Sequence, residues 1–176
     1  DLLNGATIAI IEGYGSIGAN AFLSATSLTS VTIGASVTSI GSGAFGDSAL
    51  ITVTFDADSK LKSIGYQAFY GAKSLANITI PANVTSIGEY AFKLASALTS
   101  INIPAQVTII NTQTFSDAES LATVTFDAVS QLESIGAGAF AYATSLTSIT
   151  IPATVTSIGA GAFNNSGITE STCSNA

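Results

Sequence analysis

The chain contains no histidine, arginine, methionine or tryptophan, and only one cysteine. Without His or Arg, the familiar general acid–base and nucleophile–base assemblies are not available, and an enzyme is not expected. Charge is also scarce. Of 176 residues 9 % are charged, four Lys against eleven Asp and Glu, for a net charge of −7. That balance argues against nucleic acid and anionic lipid as partners, because neutralising phosphates takes clustered cations. Ser, Thr or Gly interrupts every apolar run before it reaches the ~20 residues of a spanning helix, so no membrane insertion is expected. Cys173 has no partner within the chain, so no internal disulfide staples the fold. A sequence that opens at Asp1 without Met or signal peptide reads as a processed or excised segment, as a mature secreted protein would.

What is present is repetition. Ile-Gly occurs at Ile17, Ile40, Ile64, Ile87, Ile135 and Ile158, with Ile110-Asn111 filling the gap, at spacings of 23, 24, 23, 23, 25 and 23 residues. Phe follows five residues after each: Phe22, Phe45, Phe69, Phe92, Phe115, Phe140 and Phe163. With 47 % apolar residues, the chain is long enough for one core, and residues 1–176 read as a single domain. Its repeats start near 16, 39, 63, 86, 109, 134 and 157, after a partial repeat over 5–15.

Each unit carries L-x-x-V-x-I, as in Leu28/Val31/Ile33 and Leu146/Ile149/Ile151. Alternation of that kind predicts a strand with one buried face, Ser30 to Ile33 and its equivalents. Pro81, Pro104 and Pro152 follow directly, where a missing amide donor ends a ladder. Further on, Gly or Asn111 after the Ile points to a residue with positive φ or a helix N-cap. The A-F segment then reads as one short helical or 3₁₀ turn.

Two units depart together. Phe55-Asp-Ala-Asp-Ser-Lys-Leu61 and Phe126-Asp-Ala-Val-Ser-Gln-Leu132 replace Ile with Phe, Pro or Gly with Asp, and carry two extra residues. A larger Asp-led loop needs more apolar volume beneath it, which Phe supplies. All nine Phe are thus expected to point inward. Counting 23 residues back from the Ser30 strand gives Thr7-Ile8-Ala9-Ile10 as a further strand. Near the other end, Ile168, Ser171 and Cys173 match L-x-x-V-x-I in degraded form, making Cys173 a core position and not a nucleophile.

Units reading I-G-x-x-A-F, then L-T-S-V-T-I-P and x-x-V-T-S, resemble the BspA-type leucine-rich repeats of microbial and protist surface proteins. The resemblance covers residues 6–173. It implies an α/β solenoid of about seven 23–25-residue repeats, right-handed, with a parallel sheet on one side and short helical turns on the other. It also implies an extracellular, secreted or cell-surface protein that binds proteins, cells or matrix, with no catalytic residues and no cofactor. One column departs: where the family often has Cys, three residues after the Phe, this chain has Ala25, Ser48, Ala72, Ala95, Ala118, Ala143 and Ser166.

Stacked units leave the intervening strand residues on an open sheet face. They are Ser30/Thr32, Thr52/Thr54, Asn77/Thr79, Ser100/Asn102, Thr123/Thr125 and Ser148/Thr150, and none of the fifteen charged residues is among them. This face is the candidate binding site. Aromatic and Arg anchors, usual at the centre of protein interfaces, are missing from it, and with no exposed aromatic it lacks the usual stacking platform for carbohydrate. Its regular T-x-T ranks also look like the ice-binding face of β-solenoid antifreeze proteins, against the plainer reading of strand filling chosen for β propensity. A third reading is end-to-end assembly, since neither terminus carries a polar cap. Sequons at Asn77, Asn83 and Asn164 are possible glycosylation sites, and a glycan on Asn77 would cover part of the face. Asp56, Asp58 and Asp127 supply too few oxygens for Ca²⁺ and read as turn formers. Lys60, Lys62, Lys73 and Lys93 read first as a solvated face, with a weakly basic patch as the alternative, and Tyr66, Tyr70 and Tyr90 suggest an exposed aromatic patch, with Tyr142 on another outer turn.

Overall fold

The computed structural model describes residues 5–173 and is built of parallel strands joined by tight turns. One set of strands forms the main face: β1 (Ile8–Ile11), β3 (Ser30–Ile33), β5 (Thr52–Phe55), β7 (Asn77–Ile78), β9 (Ser100–Ile103), β11 (Thr123–Phe126), β13 (Ser148–Ile151) and β15 (Glu170–Cys173). Between them run two-residue strands: β2 (Ser16–Ile17), β4 (Ser39–Ile40), β6 (Ser63–Ile64), β8 (Ser86–Ile87), β10 (Ile109–Ile110), β12 (Ser134–Ile135) and β14 (Ser157–Ile158). The alternation in V-x-I appears directly as inside–outside alternation in β9 and β13. The short strands form a second ladder, which the Val-x-x-Ile pairs did not suggest because two residues have no legible period.

Register explains why the units are alike. Ser30, Val31, Thr32 and Ile33 lie against Thr52, Val53, Thr54 and Phe55, so each residue type stacks on its own kind. Phe45, Phe69, Phe92, Phe115 and Phe140 are fully buried, and with Phe22 and Phe163 they form one column of parallel rings, neighbouring centroids 5.0 to 5.4 Å apart. Such stacking adds roughly 0.5–1.5 kcal/mol per pair to the gain from burial.

The turn side corrects one expectation: among the described residues there is no helix and no 3₁₀ segment. Each A-F segment carries two left-handed residues, for example Asn20 and Ser24, Gln67 and Gly71, or Tyr90 and Leu94. A positive φ every fourth residue breaks helical propagation and leaves a chain of tight turns. Amide donors then alternate. Ala21, Leu23 and Ala25 bond back within their own turn, while Asn20, Phe22 and Ser24 bond to the next unit at Ser42, Ala44 and Gly46. A helix would direct nearly all of these amides inward along its own axis and lose that cross-unit ladder.

The Ile-Gly glycines are also explained differently than expected. Gly41, Gly65, Gly88, Gly136 and Gly159 are not in the left-handed region; a Cβ on any of them would lie within 2.9 Å of backbone atoms of the preceding unit. Close approach is the constraint. Each glycine amide donates to the Ile carbonyl one unit back, at 2.7 to 2.8 Å. Asn111 has a Cβ and makes no such backbone bond; instead its Nδ2 donates to Ile87 O at 2.7 Å. The second ladder splits at that point, into β2-β4-β6-β8 and β10-β12-β14.

Three further expectations shift. Strand β1 pairs Ile8 with Ser30 and Ile10 with Thr32, one residue out from the register counted from the sequence. A slip of one exchanges faces: Ala9 and Ile11 are buried, whereas Ile8 and Ile10 are 65 % and 66 % exposed. Pro104 and Pro152 follow their strands directly, but β7 ends at Ile78, short of Pro81. Of the nine Phe, Phe22, Phe55, Phe126 and Phe163 are only partly buried. At the far end Cys173 pairs with Ile151 as the repeat demands; its side chain, expected in the core, lies outside the described residues. The small-residue column is buried at Ala72, Ala95, Ala118 and Ala143. Where Ser stands there, Ser48 Oγ and Ser166 Oγ donate to the Phe carbonyl three residues back, at 2.8 Å.

Gly88→Ala should cost about 1–3 kcal/mol, because its neighbour is backbone that cannot give way. Gly18, with nothing within 4 Å of its Cβ position, should accept Ala within about 0.5 kcal/mol. Thermal melts of the two variants check the contrast.

Candidate ligand-binding face

The twelve candidate residues share one side of the solenoid. Thr52, Thr54, Asn77, Thr79, Ser100, Asn102, Thr123, Thr125, Ser148 and Thr150 are exposed, while Ser30 and Thr32 are half-buried. Where the strands pair they form two ranks: Ser30, Thr52, Asn77, Ser100 and Thr123 pair in sequence, as do Thr32 with Thr54 and Asn102 with Thr125. Among the described residues, the side chains of Thr52, Thr54, Thr79, Ser100 and Thr123 make no hydrogen bond to other protein groups. Their hydroxyls are open to solvent or ligand. Ile8 and Ile10 extend the same ranks with apolar groups, a feature hidden by the slipped register.

The face is not continuous. Six strands, β1 to β11, form one sheet, and β13 pairs only with β15. Between β11 and β13 lies a cleft of about 630 Å³. Another of about 490 Å³ lies between β5 and β7, where only Thr52 and Val53 are paired across. Both open beside the two units with extra residues. The longer rung keeps the following strand from closing onto the C-terminal half of the Phe strand. Leu61 and Leu132 then re-enter the core, fully buried.

Of the expected turn formers, Asp56 and Asp127 close their turns by accepting from Ser59 N and Ser130 N at 3.0 and 2.9 Å, and do more. Asp56 N donates to Ile33 O, and Asp56 Oδ2 accepts from Ala35 N at 3.0 Å. Asp127 Oδ2 accepts from Ala105 N at 3.0 Å, and its Oδ1 accepts from Asn102 Nδ2 at 2.9 Å. Thr125 Oγ1 donates to Asn102 Oδ1 at 2.9 Å, completing a Thr–Asn–Asp chain on the face. Among the described residues no group of three His, Cys, Asp or Glu gathers to hold a metal ion.

Other candidates fall elsewhere. Lys93 is engaged on the turn side: it bonds Gln113 Oε1, lies 4.0 Å from Asp117 Oδ2, and sits 5.7 Å from the Tyr90 ring centroid. The expected basic patch therefore reduces to Lys60, Lys62 and Lys73, which are exposed. Tyr66 and Tyr90 meet edge to face at 5.5 Å, with Tyr66 exposed and Tyr70 and Tyr90 half-buried. Asn77, Asn83 and Asn164 are all exposed, although Asn83 Nδ2 donates to Ser59 O at 2.9 Å.

Parallel strands in register, one turn per 23 to 25 residues and a core of Leu, Ile and Val columns define a leucine-rich-repeat solenoid. The model of the BspA type leucine rich repeat region matches six copies, over residues 4–122 and 54–170. The chain belongs to that family. Among solved structures it resembles a leucine rich cell surface protein from Faecalibacterium prausnitzii, at 35 % identity and TM-score 0.86 over 96 % of this chain and 48 % of that one. The chain thus spans about half the length of that relative. It is also similar to the pneumococcal vaccine antigen PcpA, at 29 % identity and TM-score 0.50 over 79 % of this chain and 28 % of that one. A leucine-rich repeat protein of T. pallidum shares the fold at 22 % identity and TM-score 0.56, over 80 % of this chain and 76 % of that one. No curated protein matches the chain.

Asp127→Ala removes the acceptor of two hydrogen bonds and should lower stability by about 1–3 kcal/mol. Asp58, exposed in the matching loop, should tolerate Ala within about 0.5 kcal/mol. Chemical denaturation of both variants checks the difference.

Proposed function

We propose that this chain is a non-catalytic extracellular binding module that takes a protein, cell-surface or matrix ligand on its strand face. The observation that carries this reading is the row of open hydroxyl groups on Thr52, Thr54, Thr79, Ser100 and Thr123, held along the strand side by the stacked turns and free of internal partners. Groups already positioned by the backbone lower the ordering cost of binding. The name of the Faecalibacterium relative, a cell surface protein, supports an extracellular location. The scarcity of cations argues against nucleic acid, and no helix among the described residues is long and apolar enough to cross a membrane.

Ice binding would use the same ranks. It is the weaker reading, because two clefts interrupt the plane that a crystal face requires. Assembly end to end is the third reading; a sedimentation coefficient independent of concentration would contradict it.

Thr52 and Ser100 lie on the face outside both clefts. The double variant Thr52→Lys/Ser100→Lys should keep its melting temperature and lose at least tenfold in affinity for immobilised matrix proteins or cells, while the parent protein should give no thermal hysteresis. Unchanged binding in the double variant would move the ligand off the strand face.

A further inference from the structure

The two clefts are copies of one site. Every one of the ten residues lining the smaller cleft has its counterpart 71 positions on in the larger. The pairs that matter chemically are Thr54/Thr125, Phe55/Phe126, Asp56/Asp127, Thr79/Thr150 and Pro81/Pro152, identical in type, together with Asn83/Thr154. Internal contacts repeat as well. Each Asp carboxylate is held by a backbone amide of the preceding unit at 3.0 Å, from Ala35 or Ala105. Each far wall is tied to the loop through a Ser carbonyl, Asn83 Nδ2 to Ser59 O at 2.9 Å and Thr154 Oγ1 to Ser130 O at 3.5 Å. The units between carry neither the Phe, the Asp nor the extra residues.

We infer that the Phe55 and Phe126 clefts are paired subsites for a neutral, repeating carbohydrate polymer, an inference that rests on the strand face being the binding surface. The chemistry points to sugar. Each cleft combines a partly exposed aromatic ring and a half-buried proline with two exposed threonines and a carboxylate; in the larger one Thr125 also donates to Asn102 Oδ1, a bond the smaller one lacks. A sugar ring offers a C–H face to the ring and hydroxyl donors to the carboxylate and threonines, and an apolar surface with a few convergent polar groups is the usual build of a small-ligand site. No Lys or Arg lines either cleft, so the one charged group in each lining is the Asp carboxylate, which disfavours an anionic polymer. Strands β5 and β11 are three steps apart in one sheet, which separates the clefts by about 14 Å. A repeating polymer presents the same group to both, and two linked weak sites bind far more tightly than one.

Titration calorimetry with cello-, xylo- and mannotriose, and with the matching long polymers, tests this. At least one neutral trisaccharide should bind at two equivalent sites. Thr79→Lys or Thr150→Lys, on exposed walls where folding is undisturbed, should each leave one site; the pair should leave none, and either single variant should weaken polymer binding by about a hundredfold. No binding by any neutral sugar, stoichiometry unaffected by the Lys variants, or preference for polygalacturonate or an extended Ser/Thr peptide would overturn the inference. If sugar binding fails while matrix or cell binding remains sensitive to Thr52→Lys/Ser100→Lys, only the cleft assignment falls; if both fail, the binding-face reading falls with it.

Discussion

Everything in this molecule depends on how closely one turn can approach the next. The glycine amides at 41, 65, 88, 136 and 159 reach the carbonyl one unit back at 2.7 to 2.8 Å, a distance that leaves no space for a Cβ. That contact fits the rise per turn. At that rise the Phe rings stack at 5.0 to 5.4 Å, the turn-side amides find acceptors in the next unit, and the strands fall into register without shear. Energy is gained at every turn by the same residues, as expected of a stack in which each repeat contacts only its neighbours.

A lattice this regular makes departures conspicuous. Asn111 spares the approach with a side-chain hydrogen bond in place of a backbone one, and the short-strand ladder splits there while the Phe column runs through unbroken. Two extra residues after Phe55 and Phe126 have a larger effect, since they act on the strand side. There the backbone ladder shortens or stops, and the space it would have filled becomes a cleft walled by threonines. The Asp in each loop clasps the preceding unit and keeps the longer rung ordered. Chemistry is thus confined to what the stack does not use.

Much of this was legible in the sequence. The V-x-I alternation located the strands, and the Ile-Gly and Phe spacing counted the turns, because both reflect side-chain burial, which periodicity reports. The candidate face followed from the same alternation, and all twelve of its residues lie on one side. What was not legible involves backbone geometry. Gly and Asn at one column look like a requirement for positive φ, but close approach demands glycine equally, and only coordinates separate the two. Short segments rich in small residues look helical, although ten non-Gly residues with positive φ among the described residues turn the chain instead. The first strand was displaced by one residue because the spacing there is 22, and no side-chain pattern distinguishes Ile8 from Ile11 as the inward residue. The clefts are hidden for a related reason: the coordinated change to Phe and Asp is visible in the sequence, but its effect on the neighbouring strand is not, and alternation alone makes Phe55 and Phe126 buried core.

Hydrogen–deuterium exchange resolved to single amides tests the central claim most directly. If close approach at the glycine column holds the stack together, the amides of Gly65, Gly88 and Gly136 should exchange slowly and alike, and that of Asn111, which has no backbone acceptor, should exchange much faster than its three counterparts. Equal protection of Asn111 and the glycines would contradict the account.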